Sequence, residues 1–110
     1  PLGLRLETAV RIGMVSGADV DKFERFRLKA LPAQTVKAPL VDGCIACLEC
    51  KVTDYISRYG FIILEVTRVV ENPDCTDRRI IHAKGDGTFT ADGESFNCRE
   101  LMLDKLPPGL

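Results

Sequence analysis

Two neighbouring segments of alternating apolar and polar residues constrain the fold of this chain more than any other feature. From Ala46 to Val52 the even positions are apolar, whereas Glu49, Lys51 and Thr53 are polar, which is the period of a strand with one buried face. Residues 61–70 are rich in β-branched side chains and follow a turn-like stretch, Ser57–Gly60. The pattern predicts an antiparallel hairpin over residues 46–70 whose buried face holds Leu48, Cys50, Val52, Leu64 and Val66.

Helical spacing is confined to the start of the chain. Residues 4–12 are predicted to form a short helix that ends at Gly13, since glycine is common just past a helix end. A second short helix is expected after a small polar stretch in which Ser16 or Asp19 can serve as the cap. The apolar residues at helical spacing in that second segment are Val20, Phe23 and Phe26.

The remaining segments predict short strands and turns. Pro32 and Pro39 bracket an irregular surface segment, and residues 79–82 form a short predicted strand. The Asp92–Gly93 dipeptide is a typical hairpin turn. Two helices followed by antiparallel strands predict one domain over residues 1–110, mainly β with short helices, in a β-barrel or β-sheet arrangement.

Composition excludes several functional classes. The chain has 110 residues, 15 basic and 16 acidic, with a net charge of −1, and the two signs are interleaved. No basic surface for nucleic acid is therefore expected. The apolar runs, such as Phe61–Leu64, are far too short to cross a membrane, and no export signal is recognisable in Pro1–Leu4. We therefore expect a cytoplasmic protein.

Five cysteines invite a metal-site interpretation that the local pattern does not favour. Cys44, Cys47 and Cys50 follow one another at the spacing used by zinc and iron–sulfur sites. However, Cys47 and Cys50 fall in the predicted strand, where residues three apart lie on opposite faces. We therefore expect buried, reduced thiols and no metal site, although metal binding by the three cysteines is an alternative that metal analysis would test.

One further segment has the composition of a ligand site. Residues 16–23 combine a hydroxyl, a glycine, a lysine and a phenylalanine near an expected helix start, where free backbone N–H groups attract anions. A capped surface helix would use the same residues. His82 is the only histidine and has no recognisable catalytic partner motif, so no catalytic residue is assigned.

Three segments in order resemble the flavin reductase-like, FMN-binding split-barrel family. Gly13–Phe23 resembles its S-G-x-D-x-D-K-F element, although Ala18 stands where many relatives carry arginine. Ala38–Leu40 to Cys44, with Leu48–Val52, resembles its A-P-L…C…L-E-C-K/R-V element. Phe61–Val70 resembles the strand that follows.

This resemblance implies a six-stranded Greek-key split barrel, usually a homodimer, with FMN near the subunit interface and NAD(P)H as electron donor. The chain corresponds to the C-terminal part of that domain. The function implied is an FMN-binding, flavin reductase-like oxidoreductase; the alternative is a non-enzymatic oligomerisation or regulatory module. The resemblance implies that the cofactor-binding residues are Ser16, Gly17, Asp19, Lys22 and Phe23.

Overall fold

The computed structural model describes residues 2–110, with side chains from Leu6 onward. The chain forms two compact units, one ending at Arg78 and one beginning at Arg79. The first contains helices α1 (Leu2–Gly13) and α2 (Lys22–Arg25) and four strands: β1 (Ala30–Leu31), β2 (Leu40–Val41), β3 (Ala46–Ile56) and β4 (Phe61–Glu71). The second contains β5 (Ile81–Ala83), β6 (Phe89–Ala91) and a 3-10 helix, Arg99–Lys105.

The predicted long hairpin is confirmed. β3 and β4 each have 11 residues and pair antiparallel from Ala46↔Glu71 to Ile56↔Phe61. The connecting turn is closed by the N–H of Tyr59, which donates to the carbonyl of Ile56 at 3.1 Å. Gly60 follows with φ of 67°, a left-handed conformation that glycine adopts at little steric cost.

Two β-bulges interrupt the pairing of β3 with β4, and each has a threonine as the extra residue. Glu49 faces Arg68 and Cys50 faces Val66, so Thr67 is the extra residue of β4. The second bulge lies between Val52 and Asp54 on β3, which makes Thr53 the extra residue there. Each threonine hydroxyl donates to a carbonyl of the opposite strand: Thr67 to Glu49 at 3.0 Å and Thr53 to Ile63 at 3.2 Å.

The register defines the two faces of this hairpin. Directly paired residues lie on the same face, and neighbours along a strand lie on opposite faces except where a bulge inserts an extra residue. We call one side the apolar face; it comprises Leu48, Cys50, Val52, Tyr55, Ile62, Leu64, Val66 and Val69. The opposite side, the Glu49 face, includes Glu49, Ile63, Glu65, Thr67 and Arg68.

The prediction that the apolar face is buried is wrong for this chain. The alternation correctly grouped Leu48, Val52, Leu64 and Val66 on one side, but their side chains are 49% to 66% exposed, and Cys50 is only half-buried. Among residues 6–110 the buried residues are Leu40, Cys75 and Glu49, and of these Glu49 is fully buried. The reason is tertiary: within the described residues no further strand or helix packs over the apolar face.

The helices agree with the sequence in part. α1 (Leu2–Gly13) confirms the helix predicted over residues 4–12, and an ion pair of 2.6 Å between Arg11 and Glu7 lies on its exposed surface. α2 has only four residues because Phe26 leaves helical geometry and Arg27 adopts a positive φ of 53°. No helix of the described residues is both long and apolar enough to cross a membrane.

The second unit is a small hairpin whose turn differs from the prediction. β5 and β6 pair from Ile81↔Ala91 to Ala83↔Phe89, and the connection runs through Gly85–Gly87. Asp92–Gly93 therefore lies at the open end of the hairpin instead of forming its turn. There the backbone N–H of Asp92 donates to the carbonyl of Ile80 at 3.0 Å.

The fold class is as predicted: strands in antiparallel sheets with few, short helices. The sheets of the described residues are three two-stranded pairs, β1–β2, β3–β4 and β5–β6, and they do not close into a barrel. This arrangement is consistent with part of a split barrel.

Candidate functional site

The Ser16–Phe23 segment begins with a tight turn organised by Ser16. The Ser16 hydroxyl accepts from the N–H of Ala18 at 3.1 Å, and the Ser16 carbonyl accepts from Asp19 at 3.1 Å and Val20 at 3.2 Å. A serine two residues before its hydrogen-bond donor is a common turn arrangement, because the short side chain substitutes for a backbone acceptor. Three successive N–H groups are therefore used inside the turn.

The cap of α2 is Asp21, so the expectation of Ser16 or Asp19 as the cap is wrong. The Asp21 carboxylate accepts from the N–H of Glu24 at 3.3 Å while its own backbone is extended, as an N-cap requires. Asp21 is the N-cap because the residues before it already form the Ser16 turn. With only four residues, α2 offers no helix N-terminus of the kind that binds anions by itself.

The structure brings three of the five predicted cofactor residues to one shallow depression. Gly17, Asp19 and Lys22 line it, together with Ala18, Val20 and Asp21. A Cβ placed on Gly17 would lie 3.9 Å from Cε of Lys22, an ordinary contact, so the glycine leaves the surface open without being required by packing. Ser16 lies in the adjoining turn, and Phe23 is half-buried on α2.

The charges of this depression are mixed. Lys22 supplies one ammonium group, and Asp19 and Asp21 supply two carboxylates. Since the N–H groups of Ala18, Asp19 and Val20 are engaged by Ser16, Lys22 is the group in the lining that is suited to an anion or to an electron-rich ring edge.

Sequence reasoning missed the most buried polar group of the chain. Glu49 was assigned to a polar, outward face of β3, but its side chain has no exposed surface. Its Oε1 accepts from the N–H groups of Gln34 (2.9 Å) and Thr35 (2.6 Å) and from the Thr35 hydroxyl (2.8 Å). Its Oε2 accepts from Nη1 of Arg68 at 2.6 Å.

Thr67 completes this arrangement, which we call the Glu49 network. The hydroxyls of Thr35 and Thr67 lie 2.6 Å apart. Because Thr35 gives its single hydroxyl proton to the carboxylate, the Thr67 proton is shared between Thr35 and the Glu49 carbonyl. The network attaches the irregular segment between Pro32 and Pro39 to the Glu49 face of the hairpin.

The network also determines the ionisation of Glu49. Burial by itself would raise the pKa of this carboxyl, but hydrogen bonds from the Thr35 backbone, Arg68, the Thr35 hydroxyl and the Gln34 backbone outweigh it. The pKa is thereby lowered to about 2. The carboxylate is ionised at neutral pH and all its hydrogen-bond partners are donors, so its role is structural and not that of a general acid or base. The pairing of Glu49 with Arg68 depends on the bulge at Thr67, so no local sequence signal indicated this network.

The cysteines differ in their environments. All five are thiols; Cys75 is buried, Cys47 and Cys50 are half-buried, and Cys44 and Cys98 are exposed. The expectation of buried thiols at Cys44, Cys47 and Cys50 is therefore wrong for Cys44 and met only in part by Cys47 and Cys50. In the part of the chain from Leu6 onward, no three His, Cys, Asp or Glu side chains lie close enough together to hold a metal ion.

His82 has a partner that the sequence did not indicate. Its Nε2 lies 2.8 Å from Oδ1 of Asp92, and Oδ2 of Asp92 accepts from the N–H of Ile80 at 2.9 Å. The hydrogen bond from His82, followed by that from Ile80, lowers the pKa of the Asp92 carboxyl. These bonds connect the start of β5 to Asp92, the residue that follows β6. The role of the His82–Asp92 pair is therefore structural.

Comparison with known proteins identifies the family to which this chain belongs. The model of the flavin reductase like domain matches residues 5–88, about three quarters of the chain. An uncharacterized protein of Methanothermobacter thermautotrophicus is 36% identical over 67 residues, which cover 51% of this chain and 32% of that relative. The matched region is thus about a third of the length of that curated relative. With its predominantly antiparallel strands and this match over most of its length, the chain belongs to the flavin reductase-like domain family.

Proposed function

We propose that this protein is an FMN-binding, flavin reductase-like oxidoreductase in which the Ser16–Phe23 segment contacts part of the flavin. Membership of a flavin reductase-like family supports the class of chemistry. The observation that carries the assignment of the segment is the depression that Gly17, Asp19 and Lys22 line together. A flavin held there would supply the redox chemistry, with NAD(P)H as electron donor, and the protein would supply binding, orientation and electrostatics.

The lining restricts which part of the flavin this segment can hold. A lining with one ammonium and two carboxylates suits a polar edge, or a single phosphate oxygen directed at Lys22, better than a whole phosphate group. Phe23 contributes apolar packing beside the depression. The depression is open and shallow, so the greater part of a flavin site must come from residues outside Ser16–Phe23.

The proposal extends to assembly and location. We propose a homodimer, as the family resemblance implies, and a cytoplasmic location, where NAD(P)H is available. Sedimentation of the flavin-loaded protein tests the first, and fractionation of the source cells tests the second. If the flavin-loaded protein sediments as a monomer, the proposed homodimer is wrong but the proposed cofactor is unaffected.

A second candidate function is a non-enzymatic oligomerisation or regulatory module. The exposed apolar face of the β3–β4 hairpin favours it, since patches of this kind usually mark interaction sites. Steady oxidation of NAD(P)H that depends on added FMN would exclude this candidate. A protein that takes up no flavin at all would exclude the first.

The site is tested by FMN titration of the chain and of its Lys22→Ala variant. Loss of a charge-assisted hydrogen bond is expected to weaken FMN binding roughly tenfold to hundredfold. The thermal midpoint should remain nearly the same, because Lys22 is only half-buried and partly exposed charges contribute little to stability. Lys37→Ala is the matched control, since Lys37 is an exposed lysine outside the depression. Equal affinities for Lys22→Ala and the parent chain would remove Lys22 from the site.

A further inference from the structure

Three cysteines are evenly spaced in the sequence, but the structure brings only two of them to one place. Cys44, Cys47 and Cys50 follow one another at intervals of three residues. The register of β3 with β4 places Cys50 on the apolar face and Cys47 on the opposite side, because successive residues of a strand alternate between its faces. Cys44 precedes β3 and lies in a bend of the chain, so this alternation does not apply to it. Cys44 and Cys47 are therefore the two thiols that can meet.

Cys44 and Cys47 line the same small cavity, which has a volume of about 150 Å³ and apolar walls that include Leu40 and Val70. Cys44 is exposed, whereas Cys47 is half-buried. The S–H group of Cys47 donates to the carbonyl of Val41 at 3.4 Å, which holds this thiol on the side of the cavity. An accessible thiol with a second thiol behind it is a common arrangement in reversible cysteine oxidation.

The backbone around Cys44 allows the two sulfur atoms to approach each other. Gly43 has a φ of 89°, and the chain bends at residues 44 and 45 instead of running extended. Residues three apart in an extended chain have Cα atoms about 10 Å apart, too far for a disulfide, and a bend shortens that separation. The carbonyl of Ile45 accepts from the N–H of Asn72 at 2.8 Å, so the segment between the two cysteines is fixed while Cys44 lies outside the strand pairing.

We propose that Cys44 and Cys47 form a reversible dithiol–disulfide pair that small-molecule disulfides oxidise. The thiolate of Cys44 attacks one sulfur of the external disulfide R–S–S–R, forms a mixed disulfide and displaces one R–S⁻. The thiolate of Cys47 then attacks the Cys44 sulfur, forms the internal S–S bond and displaces the second R–S⁻. The two cysteine protons pass to the two released thiols, and two electrons pass from the protein to the external disulfide. The inference goes beyond the proposed function and does not depend on flavin binding.

The test is oxidation of the reduced chain by 2-hydroxyethyl disulfide, followed by alkylation of the remaining thiols, trypsin digestion and mass spectrometry. All three cysteines of the series fall in one tryptic peptide, residues 38–51. We expect the product to contain a bond between Cys44 and Cys47, with Cys50 outside that bond. Any other product, such as an adduct that stays on Cys44, a bond between Cys47 and Cys50, or three unchanged thiols, would overturn the proposal.

Matched variants identify the second thiol of the pair. Cys47→Ser and Cys50→Ser each replace a half-buried thiol of β3, on opposite faces of the strand. In Cys47→Ser the second thiol is missing, so occupancy of Cys44 by the hydroxyethyl adduct should be at least about tenfold higher than in the parent chain. Cys50→Ser should form the internal bond as the parent chain does. Equal adduct occupancy of Cys44 in the two variants would refute the pairing.

Two controls make these results interpretable. Protection of the Thr35 amide from hydrogen exchange, which depends on its bond to Glu49, shows that each variant keeps the fold of the parent chain. Electrophoresis without reductant separates a bond within one chain from a bond between two chains, and a cross-linked dimer as the main product would also overturn the proposal. Excess 2-mercaptoethanol should restore both thiols. None of these measurements uses flavin, so they are independent of the outcome of the FMN titration.

Discussion

The two faces of the β3–β4 hairpin are formed by the same strands but are covered in opposite ways. On the Glu49 face an ionised carboxylate is completely buried beneath Gln34 and Thr35. On the apolar face, leucine, valine, isoleucine and tyrosine side chains stay about half exposed or more. Hydrophobicity alone would have assigned the two faces the other way round.

The difference shows that the buried side chain of this hairpin is the one whose hydrogen-bonding groups all have partners. Four donors surround the Glu49 carboxylate, and the segment that supplies three of them is held against the hairpin by the same bonds. A buried charge is tolerated when it is paired and fully hydrogen-bonded. The apolar face has no comparable directional partner within the described residues, and its burial depends on whatever packs over it.

The largest effect in this comparison is expected for Glu49→Gln. The amide has nearly the same shape, but its NH₂ group must face either the backbone donors of Gln34 and Thr35 or the Arg68 guanidinium, which leaves buried donors unpaired. The thermal midpoint should fall by several degrees, and the amides of Gln34 and Thr35 should exchange faster. Glu65→Gln, an exposed position of β4, is the matched control. Equal midpoints for the two variants would show that the Glu49 network contributes nothing to stability.

The same network predicts a pH dependence on the acid side. Hydrogen bonds lower the pKa of Glu49 to about 2 from the ordinary value of 4.5, so the unfolded chain binds a proton before the folded chain does. This contribution to stability is complete above pH 4.5 and is lost as the pH falls from 4.5 towards 2. The Thr35 amide should lose protection from exchange over that interval. In Glu49→Gln the loss should be absent; a parent chain whose Thr35 protection does not vary there would contradict the assignment.

A smaller effect is expected from the two bulge threonines. Thr67→Val removes a hydroxyl that bonds within the half-buried Glu49 network and should cost about 1 kcal/mol. Thr53→Val removes a bond to the Ile63 carbonyl at an exposed position and should cost about 0.5 kcal/mol or less, because water replaces the lost donor. Urea unfolding measures both. A larger loss for Thr53→Val would mean that the bulge of β3, rather than the network, is the more important interruption.

A similarly small effect is expected on the apolar face of the isolated chain. A fully buried leucine costs about 2–5 kcal/mol when truncated to alanine, but Leu64 is already half exposed, so Leu64→Ala should cost about 1 kcal/mol or less. Ile63→Ala on the other face should behave alike. The same urea unfolding measures both variants, and a cost above about 2 kcal/mol for Leu64→Ala alone would show that the apolar face is already covered in solution.

Local patterns in the sequence predicted the elements well. The alternation around Leu48 and the turn before Gly60 identified the long hairpin, and Gly13 marked the end of α1. Those features depend on neighbouring residues, whose backbone preferences and side-chain periods operate over a few positions. The turn at Asp92–Gly93 was wrong because Asp92 bonds instead to Ile80 and His82, twelve and ten positions away.

The candidate site was predictable to a similar extent. The segment from Ser16 to Phe23 was singled out by its residue types, and three of its members do line one depression. The Glu49 network was not predictable, since it joins Thr35 to residues fourteen and more positions away, across a bulge that no local pattern indicates.

By itself, the sequence determined the long hairpin, which residues share its apolar face, and the resemblance to the flavin reductase-like family. Only the tertiary structure decided that Glu49, and not the apolar side chains, is the buried group of the hairpin. A side chain's period along a strand depends on its own backbone, whereas its burial depends on which distant segment packs against it. Here the segment around Thr35 packs on the Glu49 face, because the donors of Gln34, Thr35 and Arg68 satisfy both oxygens of the Glu49 carboxylate.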